Sequence, residues 1–249
     1  MAAAGGAEAG GAEARGAVSA LRPRLAALGR RLAVPRGAGG DDTFLAKGSA
    51  TLEKLKDLCN EGKEHPSTLW QFYAQAVLDI TYFEENQLVN EDFPEESSLQ
   101  KVKELICILS EPEDLVRECN INEEPINVLG AELLECLYWR KGALLYMYCH
   151  TAKERSKWLR ENIAVFKKCL NDGAHYLMKM LSFRSPLQLN EDVSLQDKDT
   201  ARLLSEALLW QQEDGAPSCL VSSKSGIDPV QLPNAKPSSV YLVTLTYWQ

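Results

Sequence analysis

The stretch from Leu129 to His150, LGAELLECLYWRKGALLYMYCH, constrains the fold of this chain more than any other. Apolar side chains at helical spacing line one face, and further leucines, tyrosines and a methionine cover much of the remaining circumference. Only a narrow polar strip is left, for which the available residues are Glu132, Glu135, Arg140 and Lys141. We therefore predict a core helix around which other amphipathic helices pack.

Apolar residues at helical spacing predict further helices over most of the chain. These helices are expected at 18–32, from a cap at Asp41 or Asp42 to the stop signal Gly62, at 69–83, at 99–109 with a short restart at Pro112, at 152–183, and around Leu203 and Leu208. No convincing strand pattern occurs between them. We predict an all-α fold of about seven helices, arranged as an irregular bundle or a solenoid-like stack.

Composition divides the chain into three parts. Residues 1–14 are Ala/Gly-rich and are expected to be disordered, 15–213 form the helical domain, and 214–249 form a Pro/Ser-containing tail of low order. Pro23 is compatible with the first helix only if it lies in the first turn. The arginines of this helix also fit a transit peptide, although docking of the helix by its leucines is the interpretation we favour.

The net charge of -8 is unevenly distributed. The first 40 residues carry six arginines against two glutamates, so the remainder is strongly acidic. Because nucleic-acid binding needs a basic surface, we expect proteins as partners. The acidic run from Glu84 to Glu96 is interpreted as a solvated connecting loop, and the alternative is a docking segment for a basic partner.

The seven cysteines fall mostly on apolar helical faces, which is typical of buried free thiols. No C-x-x-C pair occurs and no signal peptide is evident, so a reducing cytosol is the expected compartment. The longest apolar runs are far shorter than the roughly 20 residues that cross a bilayer. We therefore expect no transmembrane helix.

Residue patterns for catalysis are weak. No phosphate-binding or dinucleotide-binding glycine motif is present. Asp79 ends a polar ridge with Gln71 and Gln75, and we expect it to be solvated rather than to bind a metal. Asp172-x-x-His175 is only half of a di-metal motif. We therefore assign no catalytic, cofactor-binding or metal residue and expect a protein that is not an enzyme.

Five long motifs make the chain resemble the family of the Rab-seven-A-interacting subunit of the Mon–Ccz exchange complex. They are ATLEKLKDLC (50–59), LDITYFEENQLVNEDFPEESS (78–98), QKVKELICILSEPE (100–113), LGAELLECLYWRKGALLYMYCH (129–150) and SPLQLNEDVSLQDKDTARLLS (185–205). Such long runs are far more specific than a short motif. After Ser205 the chain departs from the family pattern, which we interpret as a spliced or mispredicted form without the family's C-terminal helices.

The resemblance implies a non-enzymatic adaptor without cofactors. It would bind the late-endosomal Rab GTPase in its GDP form, together with the Mon–Ccz exchange complex, from a cytosolic pool recruited to damaged mitochondria during mitophagy. The alternatives are a structural helical subunit without direct Rab contact and, less favoured, a helical metalloenzyme.

Overall fold

The computed structural model describes residues 5–33, 42–62, 64–119 and 123–183, with side chains described from Arg15 and, after the first gap, from Leu45. Within these ranges the chain forms eight α-helices and no strand, so the predicted all-α class is confirmed. The helices are α1 (Gly5–Leu32), α2 (Asp42–Glu61), α3 (Pro66–Asn90), α4 (Ser98–Cys119), α5 (Pro125–Leu129), α6 (Ala131–Ala152), α7 (Ser156–Glu161) and α8 (Ile163–Phe183).

The chain divides into two compact units. The first contains residues 1–85 and 104–137, and the second contains 86–103 and 138–249. The domain boundaries predicted from composition, at residues 15 and 213, stay predictions. The helix expected around Leu203 and Leu208 and the tail 214–249 lie outside the described residues.

Helix α1 packs by its leucines, as its spacing predicts. Leu21, Leu25 and Leu28 are buried. The helix begins at Gly5, however, within the stretch for which we predict disorder. The expectation that Pro23 lies in the first turn is also wrong, because it lies well inside the helix. Proline cannot donate a hydrogen bond to the carbonyl of Ser19, four residues earlier. Because Ser19 is exposed, water can donate to that carbonyl instead.

Helix α2 ends where the sequence predicts. Gly62 has φ +64°, a left-handed conformation that glycine adopts without steric cost, and its N–H donates to the Leu58 carbonyl at 3.1 Å. Helix α3 continues past the predicted end at residue 83, so Glu84 and Glu85 are helical rather than part of a solvated loop. Glu85 is in fact fully buried.

Helix α4 is continuous, and the predicted break at Pro112 is wrong. Pro112 is itself buried, and the buried face continues on both sides of it through Leu105, Leu109, Leu115 and Val116. Burial of this face on both sides outweighs the loss of one backbone hydrogen bond at the proline.

Helix α6 is the core helix that its composition predicts. Every residue from Leu134 to Cys149 is buried. Of the predicted polar strip, Glu132 is exposed, but Glu135, Arg140 and Lys141 are all less than 10% exposed, so the prediction is wrong for these three residues. The Lys141 ammonium lies 3.9 Å from the ring centre of Tyr138, so an aromatic face replaces part of its hydration.

The single helix predicted over 152–183 is also wrong, since a turn after Ala152 and a bend at Asn162 divide it into α7 and α8. The backbone leaves the helical region at Arg155 (φ -92°, ψ 77°). This turn lets the Trp158 ring pack edge-on against Tyr148, with ring centres 6.0 Å apart. Near the C-terminal end of α8, Met180 is buried and Leu181 is exposed.

Candidate functional site

Asp79 is buried in a polar cluster of the first unit and is not solvated as predicted. Its side chain is 1% exposed. Thr51 Oγ1 donates to Oδ2 at 3.1 Å and Gln75 Nε2 donates to Oδ1 at 2.8 Å, while Lys47 Nζ lies 3.7 Å from Oδ1. Because both carboxylate oxygens are engaged and the group is closed to solvent, this cluster joins α2 to α3 and does not present a reactive group.

Two ion pairs attach α1 to the rest of the first unit. The guanidinium of Arg31 forms a two-pronged pair with the carboxylate of Glu84 on α3, at 2.8 and 2.6 Å. Arg24 reaches Glu118 on α4 at 3.1 Å. The planar guanidinium fork matches a carboxylate, so the first pair also restricts the orientation of α1.

The histidines do not assemble a metal site in the part of the chain that the structure describes, where no three His, Cys, Asp or Glu side chains come together. Asp172 of the half motif pairs with Lys168 at 2.5 Å, and His175 is exposed. His65 contacts Ser67 at the start of α3. These contacts are those of ordinary surface groups.

The prediction that the cysteines are buried is confirmed for some of them and wrong for others. Cys59, Cys136, Cys149 and Cys169 are buried, Cys107 and Cys119 are exposed, and Cys219 lies outside the described residues. Cys149 and Cys169 form a hydrogen-bonded pair within the second unit. Burial and the bond to Cys169 raise the pKa of Cys149, whereas the same bond lowers the pKa of Cys169.

The segment from Glu91 to Ser97, which we call the acidic loop, has a constrained backbone. Asp92 and Phe93 have φ values of +49° and +50°, a left-handed conformation that is costly for residues other than glycine. The N–H of Phe93 donates to the Leu88 carbonyl at 2.9 Å. Such strain persists only where surrounding contacts impose the conformation.

Those contacts come from the second unit, to which the loop belongs. The Phe93 ring is buried and packs edge-on against Tyr148, with centres 6.0 Å apart. Arg155 donates to the carbonyl of Asp92 at 2.9 Å and to that of Phe93. The loop is thus held by the packing of Phe93 against Tyr148 and by the hydrogen bonds from the Arg155 guanidinium.

The side chains that this anchoring presents to solvent are acidic. Exposed carboxylates are those of Glu91, Asp92, Glu95 and Glu96. The sequence indicated an acidic connector, but it did not reveal that the connector is held in one conformation. The available signal was Phe93, a large apolar residue isolated within an acidic run, which is typical of an anchor.

No helix among the described residues has both the length and the apolarity to span a membrane. Separately, the acidic loop is an ordered segment whose carboxylates are exposed. Fixed carboxylates can attract a basic protein surface and define its orientation.

Comparison with known proteins places this arrangement in a family. Residues 44–213 match the family described as RAB7A-interacting MON1-CCZ1 complex subunit 1. The match contains the acidic loop and most of the described helices, whereas α1 precedes it. It also continues to 213, beyond Ser205, where we expected the resemblance to end.

Three relatives carry that same name. The human protein is 61% identical over 173 residues, which cover 69% of this chain and 59% of the relative. The mouse protein is 59% identical over 170 residues, covering 68% and 58%. The zebrafish (Danio rerio) protein is 46% identical over 190 residues, covering 76% and 69%. The chain thus spans about three fifths of the human and mouse proteins, at 59% and 58%. No solved structure matches the chain.

Proposed function

Because this chain belongs to the RAB7A-interacting MON1-CCZ1 complex subunit 1 family, we propose that it is a non-enzymatic adaptor that binds RAB7A and the MON1–CCZ1 complex. The observation that carries the proposal is the family match over residues 44–213, which includes the core helix and the acidic loop. The human relative is 61% identical to this chain over 173 residues.

Within this proposal, the GTPase is bound in its GDP form and the adaptor supports Rab stability and recruitment to damaged mitochondria from a cytosolic pool. An adaptor of this kind needs surfaces for two partners and no reaction centre. The finer parts of the proposal are testable separately, because nucleotide preference, complex binding and relocation each have their own measurement.

We assign the acidic loop to the contact with RAB7A. Its conformation is already held by Phe93 and Arg155, so little conformational entropy is lost when a partner binds. Four exposed carboxylates favour a partner surface rich in lysine or arginine and accelerate the encounter with it.

A pull-down with purified RAB7A in its GDP and GTP forms tests the proposal, with MON1–CCZ1 as a second bait. Wild-type chain is expected to retain both baits and to prefer the GDP form. Charge reversal of the acidic loop by Glu95→Lys and Glu96→Lys should weaken the binding of RAB7A roughly tenfold. The matched control is Glu123→Lys with Glu124→Lys, an adjacent exposed pair outside the loop with the same change of charge.

Each outcome separates the parts of the proposal. Retention of MON1–CCZ1 without RAB7A would identify a structural subunit that lacks Rab contact. Equal behaviour of the loop variant and the control would remove the acidic loop from the interface. Failure of the wild-type chain to bind either bait would contradict the adaptor function itself. A fluorescent fusion that stays dispersed after mitochondrial depolarisation would contradict recruitment.

A further inference from the structure

From Arg15 onward, the outward face of α1 carries positive charge and no acid. Arg15, Arg22 and Arg30, which we call the arginine stripe, are all exposed. At about 100° per residue they fall within an arc of about 80° on the helix. No aspartate or glutamate occurs between residues 15 and 33. The three guanidinium groups therefore form one cationic line along the helix.

The stripe differs from the other two arginines of the helix. Arg24 and Arg31 are neutralised by glutamates of α4 and α3, at 3.1 and 2.6 Å. Those two arginines lie on the other side of α1 from the stripe. Among the described residues, no acid is paired with any member of the stripe. Two arginines of α1 thus attach the helix to the rest of the first unit, and the three arginines of the stripe take no part in that attachment.

The surface along the arginine stripe is flat, because the exposed residues between the arginines are small. Ser19 and Ala26 lie between the arginines on the same face and are exposed. From first to last arginine the stripe runs about 22 Å, at 1.5 Å per residue. Among the described residues, the large apolar side chains that are exposed are Ile126, Met178 and Leu181, none of which is on α1.

The exposed charge and the flat surface of the stripe together indicate which class of partner it can bind. Protein interfaces usually combine charged residues with apolar or aromatic anchors that fill pockets, and no large apolar side chain is exposed beside the stripe on α1. Its leucine face is buried within the first unit, so the helix cannot insert apolar side chains between lipid tails as an interfacial helix does. What remains is a straight, flat, purely electrostatic contact.

We propose that the arginine stripe binds the surface of an anionic lipid bilayer and orients the protein on it. The chain as a whole is acidic, with net charge -8, so attraction to an anionic surface has to come from a local concentration of cations such as this face. Charges more than about 8 Å from the surface are largely screened at physiological salt, which lets the stripe act locally. Since α1 precedes the family match at 44–213, this inference is independent of the proposed adaptor function.

Co-sedimentation with vesicles tests it. The full chain is mixed at about physiological ionic strength with vesicles of pure phosphatidylcholine or of phosphatidylcholine with phosphatidylserine. Wild-type protein is expected to sediment only with the anionic vesicles and to be released by salt. Each arginine contributes about fivefold to partitioning, so Arg15→Gln, Arg22→Gln and Arg30→Gln together should reduce it about a hundredfold.

The matched control removes three positive charges elsewhere. Lys101→Gln, Lys157→Gln and Lys167→Gln change exposed lysines of α4, α7 and α8 and give the same net charge. This triple variant should bind nearly as well as wild type. Circular dichroism of both triple variants checks that they remain helical.

Three results would overturn the proposal. Equal loss of binding in both triple variants would show a general charge effect. Binding to phosphatidylcholine alone would show that the contact is not electrostatic. Absence of vesicle binding together with stripe-dependent binding of single-stranded RNA would assign the stripe to nucleic acid instead.

Discussion

Helices α6 and α8 come close together at Gly142 and Gly173, and the absence of a side chain at Gly142 should be essential. A Cβ atom placed on Gly142 would lie 2.7 Å from both Cγ and Cδ2 of Leu177 and 3.2 Å from the carbonyl oxygen of Gly173. Leu177 is fully buried, so its side chain has no solvent to move into. A contact with Cγ also cannot be relieved by rotating the end of the side chain alone.

The expected effect of Gly142→Ala is the difference between two terms. Alanine stabilises a helix interior by about 0.5–1 kcal/mol relative to glycine. Overpacking a close-packed core costs about 1–3 kcal/mol. The overlap at 2.7 Å places this site in the upper part of that range. We therefore expect Gly142→Ala to lower the free energy of unfolding by about 1–2 kcal/mol.

Urea denaturation followed by circular dichroism measures this change. The control is Gly16→Ala on α1, where a Cβ meets nothing within 4 Å, so this variant should be stabilised by about 0.5–1 kcal/mol. Leu177→Ala should relieve the overlap, so the double variant should lose less stability than the sum of the two single variants. A Gly142→Ala protein as stable as wild type would refute the reasoning.

Three further predictions concern the core, the thiols and the tail. Leu144→Asp places an unpaired charge at a fully buried position and should cost about 3 kcal/mol or more in the same unfolding assay, whereas unchanged stability would show that α6 is not central. Partial burial and a neighbouring carboxylate raise the pKa of Cys119, so iodoacetamide should label exposed Cys107 faster and buried Cys149 only after unfolding. Peptide mass spectrometry gives that order, and faster labelling of Cys149 would contradict the burial. Removal of 216–249 should leave the melting temperature nearly unchanged and reduce aggregation, because the uncharged VYLVTLTYW segment is lost, and a large drop in melting temperature would show that the tail packs.

Local patterns were sufficient for the helices themselves. The leucines of α1 and the dense apolar surface of α6 were recognisable because a helix repeats every 3.6 residues, whatever packs against it. Gly62 was recognisable as a stop because its left-handed conformation suits glycine. The long motifs likewise pointed to the family before any geometry was known.

The continuity of helices was not a local property. Pro23 and Pro112 lie inside helices because the faces on either side of them are buried. At Arg155 the opposite occurs, since bonds to the acidic loop accompany a turn in a stretch with helical spacing. In each case packing energy over many residues outweighed the preference of one.

Burial of polar residues was decided only by the tertiary structure. Asp79, Glu135 and Lys141 read as solvent-facing because a charge alone costs several kcal/mol to bury. Thr51 and Gln75 offset that cost for Asp79, and Tyr138 does so in part for Lys141. For Asp79, Thr51 is distant in sequence and lies on another helix, so only the folded chain brings the pair together. The anchored conformation of the acidic loop has the same origin, because the ring and the guanidinium that hold it come from residues more than fifty positions away.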